Sequence, residues 1–235
     1  GWEVLAKTDL QHEVNGAGEE HPSCLCFSNE AFEEYITKRY AAYAATGADF
    51  IWMDGDISPM GVRRGCICDG CMEKFNKAYG YALTREEVVK GDRAVQNAWA
   101  KFHKDRTAHL ANLIAKTIRD TSPNAKVGWM SGDDCAEEIN ACKAEMYRPG
   151  GGFYDERTPQ DVFSKGISAQ AQTLACPDFV KDIQFEYEAF NYQSLDKSLH
   201  ISELESTLAL MNGCNGVLYN NDIFYDRQNF LDMLA

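Results

Sequence analysis

Phe50-Ile51-Trp52-Met53-Asp54-Gly55-Asp56 reads as an apolar strand that ends in carboxylates. Runs of the same kind recur at Trp2 to Thr8, Lys126 to Ser131, Gly151 to Tyr154, Asp182 to Glu188 and Gly216 to Asn220, with longer stretches of helical period between them. Ser28 or Asn29 can cap a helix whose apolar face is Phe32, Tyr35, Ile36, Tyr40 and Tyr43 and which closes at Gly47. Thr84-Arg85-Glu86-Glu87 is a capping box, and Asp92 to Asp120 carries Trp99, Phe102, Leu110, Ile114 and Ile118 at helical spacing before Ser122-Pro123 stops it. Ser202-Glu203-Leu204-Glu205 is a second capping box, opening a helix that runs to Gly213. Strand and helix alternate regularly, which is the pattern of β-α units around a parallel sheet.

A closed barrel needs eight strands, and six are legible, so two are expected to be missing at the N-terminus. A doubly wound sheet would carry G-x-G-x-x-G between a strand and a helix. That motif is absent, and Gly150-Gly151-Gly152 precedes a strand-like segment instead. The expected fold is an α/β (β/α)8 TIM barrel, incomplete at its N-terminus, with residues 1–235 forming one catalytic domain. The lack of an initiator Met and the end at Leu234-Ala235, where a new helix begins, point to a fragment of a longer chain.

Charge and composition narrow the function. A net charge of -13 repels phosphate backbones and argues against a nucleic-acid partner. No apolar run is long enough to span a bilayer, and the N-terminus lacks the plan of a signal peptide, so no membrane partner is expected. Nine cysteines, an odd number, fit a reducing compartment better than a disulfide scaffold, which makes the cytoplasm the expected location.

Three of those cysteines stand in Cys66-Ile67-Cys68-Asp69-Gly70-Cys71. A C-x-C-x-x-C loop can wrap its sulfurs around one tetrahedral zinc, with Cys24 or Cys26 supplying the fourth from a distant segment. Cys135, Cys142, Cys176 and Cys214 are scattered singly, and no longer ferredoxin spacing suggests an iron-sulfur cluster.

In an α/β barrel the chemistry lies at the strand C-terminal ends. Those ends are acidic here. The first carries Asp9 and His12, the second Asp54 and Asp56, the third Asp133 and Asp134, and the fourth Asp155 and Glu156. The fifth carries Glu186 and Glu188, and the last Asn220, Asn221 and Asp222. The aromatics Trp52, Trp129, Tyr154, Tyr187, Phe190 and Tyr219 are interleaved with them. Flat apolar rings beside carboxylates and amides suit sugars, so carbohydrate is the expected partner, a homo-oligomer being left open. The expected substrate contacts are His12, Trp52, Asp54, Trp129, Tyr154, Tyr219 and Asn220. Alternation puts Trp52, Asp54 and Asp56 on one side of their strand, and Gln184, Glu186 and Glu188 on one side of theirs. Two such strands could supply the carboxylate pair that cleaves a glycosidic bond.

The chain resembles the retaining glycoside hydrolases built on an α/β barrel, and most closely the family 42 β-galactosidases. The resemblance runs through Cys26-Phe27-Ser28, Met53-Asp54-Gly55-Asp56, Cys66 to Cys71, Phe75 and Tyr79-Gly80, and returns from Asp182 to Tyr219. It implies that Cys26, Cys66, Cys68 and Cys71 ligate a structural zinc, and that the strands are the third to the eighth. By the same resemblance Asp56 is the acid/base, and Glu186 or Glu188 is the nucleophile. Asp56 replaces the family's glutamate and Gly55 the preceding asparagine, so β-galactosidase specificity does not carry over. The expected function is therefore glycoside hydrolysis. The alternatives are a non-catalytic carbohydrate-binding barrel, or a divalent-metal enzyme using Asp54, Asp56 and Asp133 as oxygen ligands.

Overall fold

The computed structural model describes residues 10–54, 65–131, 136–150, 161–188 and 198–220. They fall into two compact units. One holds the described residues up to Ile51 and from Gly65 to Ala125; the other holds Trp52 to Asp54 and the described residues from Lys126 onward.

The N-terminal unit opens with an unanticipated antiparallel hairpin, β1 (His12–Val14) and β2 (Glu20–Leu25), with His12 opposite Leu25. Its turn is built by Asn15, whose side-chain oxygen accepts from the amides of Ala17 and Glu19. Helix α1 (Glu30–Ala44) starts at Asn29, whose side chain accepts from the Ala31 amide. Its buried positions are Ile36, Tyr40 and Ala44, so the apolar face is turned from the expected one. Tyr43 is exposed and hydrogen-bonds Arg39 instead. Helices α2 (Asp69–Tyr79), α3 (Arg85–Val89) and α4 (Arg93–Thr121) follow. Gly80 closes α2 in the left-handed conformation, and Thr84 and Glu87 form the expected capping box of α3. Trp99, Phe102, Leu110, Ile114 and Ile118 are buried along α4, as their spacing requires.

The five-stranded sheet has the order β3-β4-β5-β6-β7, where β3 is Phe50–Met53, β4 Lys126–Ser131, β5 Met146–Pro149, β6 Asp182–Glu188 and β7 Gly216–Asn220. The ladders from β4 to β7 are parallel. Helices α5 (Ala136–Cys142), α6 (Asp161–Ala175) and α7 (Leu199–Met211) connect successive strands. The strand expected at Gly151 to Tyr154 falls outside the described residues, and β5 lies just before it. Arg148 and Pro149 break the apolar pattern there, and proline is tolerated because it is the strand's last residue.

Helix α7 begins at Ser198, whose hydroxyl accepts from the Ile201 amide, not at Ser202. Ser202 is buried inside the helix, where its hydroxyl meets Tyr187 at 2.6 Å. Glu205 is buried one turn on and pairs with Lys165 of α6. The end residues of the apparent capping box thus serve the packing of α7, Ser202 on β6 and Glu205 on α6.

Candidate functional site

Strand alternation sorts the sheet into two faces. One packs on helices: Tyr147 donates to Gln172 of α6 at 2.7 Å, and Tyr187 meets Ser202 of α7. Phe185 lies in a core cluster with Ala169 of α6 and Ala209 of α7. Register places Trp129 beside Tyr147 and Tyr219 beside Tyr187, on this same face. Trp129 is 2% exposed, and the Tyr219 hydroxyl lies 2.9 Å from Ser206 of α7. These two aromatics belong to the helix-facing core, not to the opposite face where the other carboxylates and Trp52 gather.

The opposite face carries Trp52, Arg148, Glu186 and Glu188. The Trp52 ring lies against Gly128 of β4, where an added Cβ would come within 2.3 Å of the indole, so only glycine leaves the ring its place. The Arg148 guanidinium sits over the same indole at 5.3 Å from the ring centroid. It also pairs with Glu186, Nη1 to Oε1 at 3.5 Å, both side chains being less than one-fifth exposed (18% and 16%). Gly150 bridges to Glu186 in the parallel ladder, and Asn220 stands in register with Glu188. Asp54 follows Trp52 by two residues and is exposed. Burial holds the Glu186 carboxyl above the ordinary carboxylate range. Arg148 opposes that shift, and the charges of Glu188 and Asp54 add to it.

The structure therefore brings together Trp52, Asp54, Glu186 and Glu188 from among the expected site residues. His12 belongs to the N-terminal unit, where its Nδ1 lies 2.8 Å from the His21 carbonyl oxygen. Asp9, Asp56, Asp133, Asp134, Tyr154, Asp155, Glu156, Phe190, Asn221 and Asp222 fall outside the described residues. Arg148 was not anticipated, although an arginine inside a short buried run was a visible signal.

The second cluster is in the N-terminal unit. Cys26, Cys66, Cys68 and Cys71 are buried, with all sulfurs within 4.8 Å of one another. Cys26 Sγ lies 3.8 Å from Cys68 Sγ and 3.5 Å from Cys71 Sγ. A tetrahedron with metal–sulfur bonds of about 2.3 Å has edges of about 3.8 Å. Cys68 is the N-cap of α2 and Cys71 is in its first turn, so the positive end of the helix faces two of the sulfurs. Hydrogen bonding from Cys26, Cys66 and Cys71 pulls the Cys68 thiol down, and the same crowding pushes Cys71 up. Four such groups can ionise together only around a cation.

The loop is held from outside. Ile67 N donates to Val14 O at 2.8 Å, Val14 N donates to Cys66 Sγ at 3.3 Å, and Arg85 Nε donates to Ile67 O at 3.1 Å. Phe75, Met72, Val88, Trp99 and Phe102 pack against the cluster, and a pocket that Ser28 and Lys74 also line opens onto Cys26, Cys68 and Cys71. Gly65 has a φ of +95°, and a Cβ there would meet the buried His103 ring at 2.4 Å. Burial lowers His103 to about 4, so the ring is neutral. The cluster can hold a tetrahedral metal. Four thiolates around one ion leave no coordination position open, which is the donor pattern of structural sites.

The chain is similar in structure to a β-galactosidase from Bacillus circulans sp. alkalophilus, at 13% identity and a TM-score of 0.64 over 94% of this chain and 39% of that one. It is similar to a β-galactosidase from the Antarctic haloarchaeon Halorubrum lacusprofundi, at 15% identity and a TM-score of 0.65 over 93% of this chain and 41% of that one. A third similar structure is the catalytic domain of a β-amylase from Paenibacillus polymyxa, at 10% identity and a TM-score of 0.56 over 92% of this chain and 68% of that one. The likeness is one of fold, an α/β arrangement around a parallel sheet. This chain spans about two fifths of the length of the two β-galactosidases. No protein-family model matches it, and no curated protein matches it in sequence. No described helix is long and apolar enough to cross a membrane.

Proposed function

We propose that this chain carries the active site of a (β/α)8-barrel glycoside hydrolase acting on a carbohydrate, with β3 to β7 as strands four to eight of the barrel. The observation that carries this reading is the gathering of Glu186, Glu188, Asp54 and Trp52 on the sheet face away from the helices. A fold shared with β-galactosidases and a β-amylase catalytic domain supports it. Asp56, two residues beyond Asp54 in the sequence, is the proposed general acid. It gives its proton to the leaving oxygen. The partner is Glu186 or Glu188: as a base it takes the proton of the attacking water, and as a nucleophile it bonds the anomeric carbon as the glycosidic C–O bond breaks, to be released later by water. Trp52 offers a flat apolar surface for a sugar ring. The four cysteines are proposed to hold a zinc that fixes Cys66 to Cys71 beside Cys26 and takes no part in the reaction.

A panel of 4-nitrophenyl glycosides tests the reading. The wild-type protein should hydrolyse at least one of them. Asp56→Asn should slow substrates with poor leaving groups by about 10²- to 10⁴-fold while sparing those whose leaving group departs unprotonated. If wild type binds sugars but turns over none of the panel, the carbohydrate-binding alternative stands instead.

A further inference from the structure

A carboxylate that serves as base or nucleophile must be ionised and aimed, and the surroundings of Glu186 work against the first requirement. Burial, Glu188 on its own strand and Asp54 after β3 all favour its protonated form. From β7 the residue in register with it is the uncharged Leu218. Among the described residues, the charges opposing protonation are Arg148 from β5 and Lys165 from α6. Lys165 lies on the helix side, over the Phe185 ring, with its own charge paired to Glu205. Arg148 shares the face of Glu186.

Arg148 is itself fixed. Its guanidinium reaches across β4 onto the Trp52 indole, and the indole has its place because residue 128 has no side chain. Gly128, Trp52, Arg148 and Glu186 thus form one packed row over β3 to β6. A planar fork resting on an aromatic face loses little further freedom when it pairs with a carboxylate.

Resting on the glycosidase reading, we propose that Arg148 is a positioning residue of the reaction: held flat on Trp52, it keeps Glu186 an ionised, oriented carboxylate, which makes Glu186 rather than Glu188 the nucleophile or base. Arg148 acts through Glu186 and needs no contact with the bond that is cleaved.

The test uses the full chain labelled with ¹³C at glutamate carboxylates, the Glu186 resonance being assigned by its loss in Glu186→Gln. In Arg148→Met the Glu186 midpoint should rise by about one pH unit or more. The acidic limb of kcat/KM for an aryl glycoside should rise with it. Arg148→Lys should keep the midpoint near that of wild type yet lower kcat by about 10-fold with KM little changed, because charge is retained while orientation is lost. Should Arg148→Met not fold, Trp52→Leu, which frees the guanidinium, should shift the midpoint in the same direction. Turnover with no shift of the Glu186 midpoint overturns the role of Arg148 alone. An acidic limb that disappears in Glu188→Gln and persists in Glu186→Gln overturns the choice of Glu186. A shifted midpoint in a protein that hydrolyses no glycoside overturns the glycosidase reading and leaves the Arg148–Glu186 coupling standing.

Discussion

Four sulfurs in the N-terminal unit and three carboxylates in the C-terminal unit are both crowds of acidic groups, and their surroundings give them opposite uses. The sulfurs are all buried, packed beside Phe75, Trp99 and Phe102, and lie within 4.8 Å of one another. Four ligands on one cation leave no coordination position over for a substrate. On the sheet face Glu186 is part-buried, Asp54 is exposed, and a single arginine offsets part of the like charge. Such a group keeps a proton equilibrium to use. The lesson is that ligand-type side chains suit structure when four of them can saturate one cation, and suit chemistry when a carboxylate is left partly open with its charge only partly offset.

The sharpest way to break this comparison is to empty the cysteine site. Structural zinc contributes about 10 kcal/mol or more in small zinc-folded units. Cys71→Ser, or treatment of reduced protein with a strong chelator, should therefore unfold the N-terminal unit, seen as lost helical circular dichroism and release of one zinc per chain. Purified reduced protein with no stoichiometric metal would remove the zinc assignment. A smaller loss should follow in the C-terminal unit from Lys165→Met. Both Lys165 and Glu205 are nearly inaccessible, at 4% and 1% exposure, and removing one partner of a buried pair costs about 3 to 5 kcal/mol. The thermal midpoint should fall by about 10 °C. An unchanged midpoint would mean that Glu205 finds another partner.

Much of this division was legible in the sequence. The cysteine spacing announced a tetrahedral clip, because ligands so close along the chain can share one metal, although the choice of Cys26 over Cys24 needed the family resemblance. Period-two alternation put Glu186 and Glu188 on one side of β6 and Trp52 and Asp54 on one side of β3. What alternation cannot say is which side meets the helices, and so Trp129 and Tyr219 were expected at the substrate when they pack in the core. Gly128, which has no side chain to mark its side, hid the clue in β4. Strand β5 was missed because Arg148 and Pro149 interrupt its apolar run, and the arginine that broke the pattern is the residue that faces Glu186. Ser202 and Glu205 have the sequence form of a cap, but partners distant in sequence, Tyr187 and Lys165, claim them.

The smallest expected effect concerns pH and stability. Burial raises the Glu186 pKa in the folded state, so the native protein binds a proton that the unfolded chain has already released. Stability should therefore rise as pH falls from the raised folded value toward the ordinary carboxylate value, and fall in the opposite direction. Glu186→Gln removes this dependence and should raise the thermal midpoint at neutral pH slightly. A lowered midpoint in that variant would place Glu186 among the stabilising groups and against the contrast drawn here.

The most direct measurement takes Glu186→Gln and wild type side by side, reading aryl-glycoside turnover, thermal midpoint and bound zinc on the same samples. The expected result is a rate reduced by about 10²-fold or more, with the zinc content equal to that of wild type and no loss in midpoint. A rate equal to that of wild type, or a loss of rate that tracks a loss of zinc and fold, would contradict the claim that this face performs the chemistry while the cysteine cluster only holds the structure.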